Sequence, residues 1–375
     1  MKLFVTGDNH FGRKFNGYPA IKNKLVESRF ACLENMVRTA EEEKCEFFVI
    51  TGDLFDNTYS ITKGDIKRVV EILSNFDQTV LVLPGNHDYY SEDVQLWIDF
   101  KKEIGTSNIV IMDEYRVYEF EGTDGPIDFY PAYCDSKHGD ANRLDWIKEQ
   151  SEVKKDRFNV GIAHGALEGL TIDTEGQYFP MSKTELNSIP MDIWLIGHAH
   201  VSYPDIPLGE ENSSATIFNA GTHEQLEIKK GGGYAFVITL QNKSGIKRVL
   251  SKRIPTGTIR YFDDEIVFSA ADNFNLEDEI NKAVGDYSDN SIVRLTLSGS
   301  ISPEDYADKE VIYEKTLGRF LDRTVMDYNL IEKITADKID EEFSEIGFAA
   351  RFLKELIGDP IELQMAYDVV YSVKG

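Results

Sequence analysis

Cysteine, long apolar runs and positive charge are all scarce in this chain of 375 residues. The three cysteines, Cys32, Cys45 and Cys134, show no CxxC spacing, which argues against a disulfide framework and is typical of a protein from a reducing cytoplasm. No apolar stretch approaches the ~20 residues that a membrane helix requires. A cleaved presequence is not expected either, because the first motif already lies at residue 8.

The deficit of positive charge limits how the chain can bind nucleic acid. Acidic residues outnumber basic residues 65 to 40, and the net charge is −25. A protein that binds DNA by itself usually presents a basic face to the phosphates. If DNA is the substrate, bound metals, a few local Lys or Arg side chains, or a partner protein must hold it. The same charge is equally consistent with a simple contribution to solubility.

Histidine is also rare, yet five of the seven histidines fall into one recurring pattern. The pattern consists of short polar segments, each directly after an apolar run of the kind that forms a buried strand. These segments are 7–10, 52–56, 85–88, His164 and 197–200. Open α/β sheets place their active sites at the carboxyl ends of strands, so we expect these segments to meet there. Of the other two histidines, His138 is interpreted as a surface loop residue.

The order of strand and helix patterns predicts an α/β fold with additions at the C-terminal end. Alternation over residues 1–105 indicates βαβ units, whereas 108–135 contains strands and turns. Two more strands are expected at 216–218 and 234–238, linked by a glycine turn. We predict a large domain over 1–255 that carries the polar segments, a small α+β capping domain over 258–335 and a helical tail over 336–375. In the tail, apolar residues at spacings of 4, 3, 4, 3 and 4 predict one amphipathic helix over 339–357.

The polar segments contain seven candidate metal ligands with nitrogen and oxygen donors. They are Asp8, His10, Asp53, Asn86, His164, His198 and His200. Mixed nitrogen and oxygen ligation without thiolate favours Mn, Fe, Co or Zn over Ca or Mg. This donor set suffices for two ions if the carboxylate of Asp53 bridges them. Two adjacent divalent ions activate water and hold the oxygens of an in-line displacement, so the pattern predicts a two-metal phosphoesterase.

His87 is assigned to acid catalysis rather than to metal binding. Its neighbour Asn86 is already a candidate ligand, which leaves the imidazole free to protonate the leaving oxygen. We expect Asp88 or another carboxylate to orient the ring.

In this order, the motifs D-x-H, G-D-x-x-D, G-N-H-D, H and G-H-x-H resemble those of the calcineurin-like metallophosphoesterase superfamily. The resemblance covers residues 1–240. It implies a four-layered α/β/β/α sandwich, two metal ions that are usually manganese, and His87 as the proton donor.

Two further stretches are similar to the SbcD-type DNA-repair nucleases within that superfamily. They are 52–56, with the sequence GDLFD, and 219–225, which resembles a P-G-S-x-E-R element. The resemblance implies that Asp56, Thr222 and His223 lie around the ligands or the substrate. This chain departs from the pattern at Asp56, where many relatives carry a histidine thought to help turn the scissile phosphate, and at Gln225, which replaces an arginine.

Two hypotheses for the function remain open at this point. The first is a manganese-dependent DNA nuclease of double-strand-break processing, with 3′→5′ exonuclease and single-strand endonuclease activity, whose tail docks on an SMC-like coiled-coil ATPase of the SbcC type. The second is a small-molecule phosphodiesterase or phosphatase acting on nucleotides. The tail could also be purely an interaction module, or its helix could pack within its own domain. Two apolar stripes in residues 92–104 predict a homodimer.

Overall fold

The computed structural model describes residues 1–150, 153–171, 173–228, 231–269, 274–343 and 347–374. The chain divides into two compact units, Met1–Ile259 and Arg260–Gly375. The domain boundary predicted between residues 255 and 258 therefore lies just before this division, and the second unit contains both the predicted tail and nearly all of the predicted capping domain. Within the described ranges, no helix combines the length and the apolar character that crossing a bilayer requires.

The first unit alternates strands and helices in its first third and contains mostly strands afterwards. Its elements in chain order are β1 (Lys2–Thr6), α1 (Lys22–Glu42), β2 (Phe47–Ile50), α2 (Lys63–Leu73), β3 (Thr79–Val82), α3 (Gln95–Ile104), β4 (Ile109–Ile111), β5 (Tyr118–Gly122), β6 (Gly125–Ala132), α4 (Asp145–Lys148), β7 (Phe158–His164), α5 (Lys183–Ser188), β8 (Ile193–Gly197), β9 (Ile217–Asn219), β10 (Tyr234–Lys243) and β11 (Ile246–Pro255).

Two sheets are formed by these strands. Among the described residues, the first sheet has the order β11-β10-β1-β2-β3-β4 and the second has the order β5-β6-β7-β8-β9. Strands β1 to β4 run parallel, as do β6 to β9. The predicted strands at 216–218 and 234–238 are both present. They belong to different sheets, so the expected glycine turn does not join them as a hairpin.

The two sheets face each other and are covered by helices on their outer faces. Side chains alternate along β1, so Leu3 and Val5 pack between the sheets, against residues such as Val160 of β7. Phe4 points the other way and packs under α1 and α2. Trp194 of β8 packs against α4 and α5 on the far side of the second sheet. The predicted four-layered α/β/β/α sandwich is confirmed.

The apolar stripes of α1 and α2 explain how these helices bury one face. The apolar residues at helical spacing are all buried; they are Leu25, Cys32, Leu33, Met36, Val37, Ala40, Ile66, Val69, Val70 and Leu73. In α3, Leu96, Trp97 and Phe100 are buried in the core beside the first sheet, and Ile98 is exposed. Most apolar residues of the two stripes therefore pack within this chain. Of the residues named here, only Ile98 remains exposed for the homodimer contact that the stripes predicted.

The second unit begins with a parallel sheet. Its elements are β12 (Arg260–Phe268), α6 (Leu276–Val284), β13 (Ser291–Ile301), α7 (Pro303–Leu317), β14 (Asp322–Glu332), α8 (Ala336–Glu342), α9 (Phe348–Glu355) and α10 (Pro360–Lys374). Strands β12, β13 and β14 lie side by side and run parallel, so the region expected to be α+β has a regular β-α-β-α-β order. Helices α6 and α7 pack on this sheet in a core of their own.

The predicted single helix over 339–357 is wrong, because the structure has two helices there. Helix α8 ends before Phe343, which is extended, and α9 begins after Gly347. Glycine is a poor residue for a helix interior, and the break allows both helices to pack with α10. Ile339, Phe343, Ala350 and Leu353 still share one apolar core, while Ile346 lies outside the described residues.

Gly161 in β7 offers a test of the packing that carries His164 to the strand end. A Cβ atom at Gly161 would lie 2.3 Å from the indole of Trp194 on the neighbouring strand. We expect Gly161→Ala to lower the free energy of unfolding by about 1–3 kcal/mol, because the buried indole has to shift. Gly17→Ala is the matched control, since nothing lies within 4 Å of its added Cβ. Urea denaturation of both variants measures the difference, and equal midpoints would contradict the prediction.

Candidate metal centre

The seven predicted ligands come from five strand ends. Asp8 and His10 follow β1, Asp53 follows β2, and Asn86 follows β3 of the first sheet. His164 is the last residue of β7, while His198 and His200 follow β8 of the second sheet. Because the strands of each set run parallel, their carboxyl ends meet at one edge of the sandwich. The structure brings all seven side chains together there.

The backbone is strained at four of these residues. Asp8, His10, Asp53 and His198 have φ angles of +48°, +48°, +51° and +97°. Residues other than glycine seldom adopt positive φ, and such conformations persist where the surrounding structure enforces them. Here, the N–H of Asp8 donates to the carbonyl of Gly52 at 3.0 Å, and the N–H of His10 donates to the carbonyl of Asp53 at 2.9 Å. The turns after β1 and β2, which carry the first two motifs, therefore hold each other in place.

One group of ligands consists of Asp8, His10 and His200. Their ligand atoms lie within 4.8 Å of one another. The Nε2 atoms of His10 and His200 are 3.1 Å apart, so both rings point at the same space. The Asp8 carboxylate also accepts the backbone N–H of His198 at 3.0 Å, which links this group to the opposite sheet.

A second group consists of Asn86, His164 and His198. The amide Oδ1 of Asn86 lies 3.0 Å from Nε2 of His164 and 3.1 Å from Nδ1 of His198. The other ring nitrogen of His164, Nδ1, donates to the carbonyl of Thr51 at 2.9 Å. This contact fixes the tautomer and leaves Nε2 available to a metal ion, as expected for a histidine ligand.

Asp53 lies between the two groups. Its Oδ2 is 3.3 Å from Nε2 of His164 and 3.8 Å from Nε2 of His10. Its Oδ1 accepts the backbone N–H of His87 at 2.8 Å, which holds the carboxylate in this orientation. The buried nitrogen and oxygen donors therefore fit two divalent ions with Asp53 shared between them.

Burial and mutual charge change the proton affinities of these ligands. Burial raises the pKa of Asp8 to about 8. Burial by itself lowers the pKa of His164, but the facing carboxylates of Asp53 and Asp8 outweigh it and raise that pKa to about 9. Burial and then the neighbouring His164 lower the pKa of His198 to about 4. In the absence of cations, part of this ligand set holds protons in place of metal.

His87 lies beside the two groups, and its ring is held by Asp56 rather than by Asp88. Nδ1 of His87 donates to the backbone carbonyl of Asp56 at 2.9 Å, which leaves Nε2 as the reactive nitrogen. The expected contact with Asp88 is not what the structure shows. The buried carboxylate of Asp88 instead accepts the N–H groups of Phe55 and Gly85, at 2.9 and 2.7 Å. Asp88 therefore holds two strand-end turns together and positions the ligands between them.

Asp56 borders the first group of ligands. Its Oδ1 lies 3.4 Å from Nδ1 of His10 and 3.7 Å from Nη1 of Arg13. Burial raises the pKa of Asp56, but His10 and Arg13 outweigh it, and the net shift is downward. The carboxylate therefore stays ionised, and it orients His10 instead of donating a proton.

Thr222 and His223 lie behind the ligands, and both are buried. Thr222 pairs through its backbone with Gly7, next to Asp8. The ring of His223 contacts the carbonyl of Arg29 through Nε2 at 3.1 Å, and burial lowers its pKa well below the usual value. His223 is thus a neutral packing group, and the structure does not bring it to the ligand cluster.

Arg29 and Glu224 support the site, although the sequence analysis did not select them. The guanidinium of Arg29 is buried and donates through Nε to the carbonyl of Asn9 at 3.1 Å, between two ligands. Its Nη1 donates to the carbonyl of Glu224 at 3.2 Å, and the Glu224 carboxylate accepts Ser28 Oγ at 2.7 Å. The sequence does contain a signal for Arg29, because it is a charged residue within the apolar stripe of α1. A charged side chain that is buried there needs a buried partner.

An aromatic ring flanks the second group of ligands. The ring of Tyr178 stacks on His198 with centroids 5.2 Å apart and planes 30° apart. His138, which the sequence analysis interpreted as a plain surface residue, lies on Tyr178 at 5.3 Å. Tyr178 is held by its backbone N–H, which donates to Asp173 Oδ2 at 3.0 Å. The metal centre is therefore bordered by a fixed and partly exposed aromatic surface.

Comparison with known proteins gives one family and several distant relatives. The family model described as calcineurin-like phosphoesterase matches residues 1–202, more than half of the chain. The uncharacterized metallophosphoesterase YhaO of Bacillus subtilis (strain 168) is 26% identical over 188 residues, which cover 47% of this chain and 42% of YhaO. The alignment thus spans less than half of that relative.

Solved structures with a similar chain path have low sequence identity. The calcineurin-like phosphoesterase YfkN from Bacillus subtilis is 13% identical with a TM-score of 0.41, covering 68% of this chain and 90% of that chain. A dimetal phosphatase from Danio rerio is 11% identical with a TM-score of 0.42, covering 68% of this chain and 98% of that chain.

The raised pKa values of Asp8 and His164 predict that metal binding displaces protons. Near neutral pH both groups hold protons in the metal-free protein, and a cation requires both without them. We expect net proton release on Mn²⁺ binding near neutral pH, and an affinity that increases as the pH rises towards about 9. Isothermal titration in buffers of different ionisation enthalpy measures both. Proton uptake, or an affinity that does not change with pH, would contradict the prediction.

Proposed function

Because the chain belongs to the calcineurin-like phosphoesterase family, whose members hydrolyse phosphoesters with two divalent metal ions, we propose that it is a nuclease acting on DNA. Membership supports metal-dependent phosphoester hydrolysis. The DNA substrate, the use of Mn²⁺ and the expected combination of 3′→5′ exonuclease and single-strand endonuclease activity belong to the proposal.

The observation that carries the proposal is the aromatic surface next to the metal centre. Tyr178 stacks on the ligand His198, so a substrate phosphate at the metals would have an aromatic ring beside it. Nucleobases stack well on such rings, and a contribution of about 1–3 kcal/mol per base is typical. A substrate that joins a phosphodiester to a base uses both features, whereas a phosphoprotein side chain uses only one.

The residues around the metals can assist phosphodiester hydrolysis in distinct ways. Two divalent ions, if bound by these ligands, would supply Lewis acidity and would lower the pKa of a coordinated water molecule. In its imidazolium form, His87 keeps the Nδ1–H on the carbonyl of Asp56 and can donate the proton on Nε2 to the leaving 3′-oxygen as the P–O bond breaks. Imidazole and carboxylate donors without thiolate are compatible with Mn²⁺.

An exposed apolar stripe on α10 supports the proposed partner, an SMC-like coiled-coil ATPase of the SbcC type. Leu363 and Tyr367 of α10 are buried within the tail. Four residues at intervals of four lie on another face and are 64–81% exposed; they are Ile361, Met365, Val369 and Val373. A helix with a second apolar stripe is suited to pack against a partner helix, as in a coiled coil. The stripe on α10 therefore replaces the predicted 339–357 helix as the proposed docking surface.

A variant at His87 tests the nuclease proposal. His87→Gln keeps a donor for the Asp56 carbonyl but removes a group that can protonate the leaving oxygen. We expect kcat for cleavage of labelled duplex and single-stranded DNA with Mn²⁺ to fall by about 10²–10⁴, with two ions still bound. Asp53→Asn is the contrasting variant, and it should lose activity together with metal stoichiometry.

A panel of cyclic nucleotides and nucleotide monoesters, assayed in parallel, addresses the small-molecule alternative. Turnover confined to that panel, with intact DNA, would refute the nuclease proposal. Wild-type kcat in His87→Gln would refute the assigned acid.

Variants in the stripe of α10 test the docking proposal. The double substitution Met365→Glu and Val369→Glu introduces charge on an exposed face, so we expect the fold and the nuclease activity to persist. Co-elution with the recombinant coiled-coil ATPase of the same organism should be lost, because the charges would be buried without partners. Val311→Glu on α7 is the control, since Val311 is 67% exposed but lies outside the tail. Unchanged co-elution of the double variant would exclude this stripe as the docking surface.

A further inference from the structure

Arg13 lies at the rim of the metal centre because the turns after β1 and β2 pair with each other. The N–H of Phe11 donates to the carbonyl of Leu54, and the N–H of Asp56 donates to the carbonyl of Phe11, both at 2.9 Å. This pairing places Nη1 of Arg13 3.7 Å from Oδ1 of Asp56. A positive charge is thereby fixed close to the ligands of a protein whose net charge is −25.

The second contact of Arg13 is with a carboxylate near the surface. Nη2 of Arg13 donates to Oε1 of Glu227 at 3.2 Å. The two side chains are 30% and 42% exposed. Ion pairs that are open to water contribute little to stability, because water and salt compete with them. Exchanging Glu227 for another anion therefore costs little.

The position of Asp56 determines which anion Arg13 can reach. Oδ1 of Asp56 lies 3.4 Å from the ligand His10 on one side and 3.7 Å from Arg13 on the other. The guanidinium is thus separated from the ligands by one carboxylate. It is placed to contact a group beside the phosphate at the metals rather than that phosphate itself.

We propose that Arg13 binds the phosphate adjacent to the scissile one in a polynucleotide strand, taking it in exchange for Glu227. A planar guanidinium pairs well with phosphate oxygens, and phosphate carries the charge that Glu227 now supplies. The inference rests on the proposed nuclease function and narrows it, because the substrate class becomes a strand with consecutive phosphodiesters. A mononucleotide has no second phosphate for Arg13.

The test is the salt dependence of DNA binding, which does not require cleavage. A short fluorescein-labelled single-stranded oligonucleotide with phosphorothioate linkages, which resist cleavage, is titrated in the presence of Mn²⁺ at several salt concentrations. With Arg13→Gln we expect about a tenfold weaker affinity at low salt, as for the loss of a charged hydrogen bond. The slope of log K against log salt should decrease in magnitude by about 0.7, as for one lost phosphate contact on a single strand.

Three further variants make the test specific. Glu227→Gln should tighten binding, because it removes the competing carboxylate and leaves Arg13 in place. Arg38→Gln is the matched control and should keep the wild-type slope, since Arg38 is 67% exposed on α1 and pairs with Glu42. Circular dichroism checks that each variant is folded. Arg13→Lys should restore part of the slope, because it restores the charge without the planar fork.

The outcomes separate this inference from the nuclease proposal. A lowered slope in Arg13→Gln with an unchanged slope in Arg38→Gln supports the role of Arg13. Equal slopes in wild type and Arg13→Gln overturn it, and so does a wild-type protein that does not bind the oligonucleotide. The cleavage assay with Mn²⁺ tests the nuclease proposal separately. If the protein hydrolyses DNA but Arg13→Gln does not change the salt slope, the nuclease proposal stands and only the phosphate contact of Arg13 is rejected.

Discussion

The site depends on one buried carboxylate, that of Asp53, which lies between two groups of ligands, and each group combines residues from both sheets. Its Oδ2 faces His10 from the first sheet and His164 from the second, at 3.8 and 3.3 Å. In the metal-free protein this negative charge is compensated by His164, whose pKa is raised to about 9. A buried charge without compensation is very costly. The arrangement thus joins the sheets whether protons or cations occupy the space between the ligands.

Close contact between strand ends explains the glycines of the motifs. A Cβ atom at Gly85 would lie 2.3 Å from Oδ1 of Asp53, and one at Gly52 would lie 2.2 Å from Nδ1 of His164. Either contact would displace a ligand or its support. The glycines therefore do more than form turns, because they let the backbone of one strand end lie directly against the ligands of the next.

The parts of the structure that follow from residue periodicity could be predicted from the sequence. The stripes of α1 and α2 and the five strand ends depend on local patterns of 2 or 3.6 residues, which the chain shows directly. The four layers, in contrast, were expected only from the resemblance to the superfamily. The partner of Asp88 could not be derived, because two backbone N–H groups 30 residues apart compete with the neighbouring His87 for its carboxylate. The break between α8 and α9 was not predicted either, since the apolar spacing continues through it, although Gly347 stands directly before α9 and both helices share an apolar core with α10.

The acidic character of the chain is compatible with the proposed anionic substrate, because the charge at a loaded metal centre is opposite in sign to the net charge of the chain. Asp8 and Asp53 contribute two negative charges to the ligand set, whereas two divalent cations contribute four positive charges, so a loaded site carries a surplus of positive charge. Beyond the ligands, Asp56 and Glu227 are both in contact with Arg13, which offsets part of their charge. Long-range attraction to phosphate from a chain of net charge −25 is weak, and screening restricts each interaction to about 8 Å at physiological salt. Binding must then come from contacts at the metal centre itself. A partner that delivers DNA ends would supply the attraction to DNA that the acidic surface of this chain does not provide.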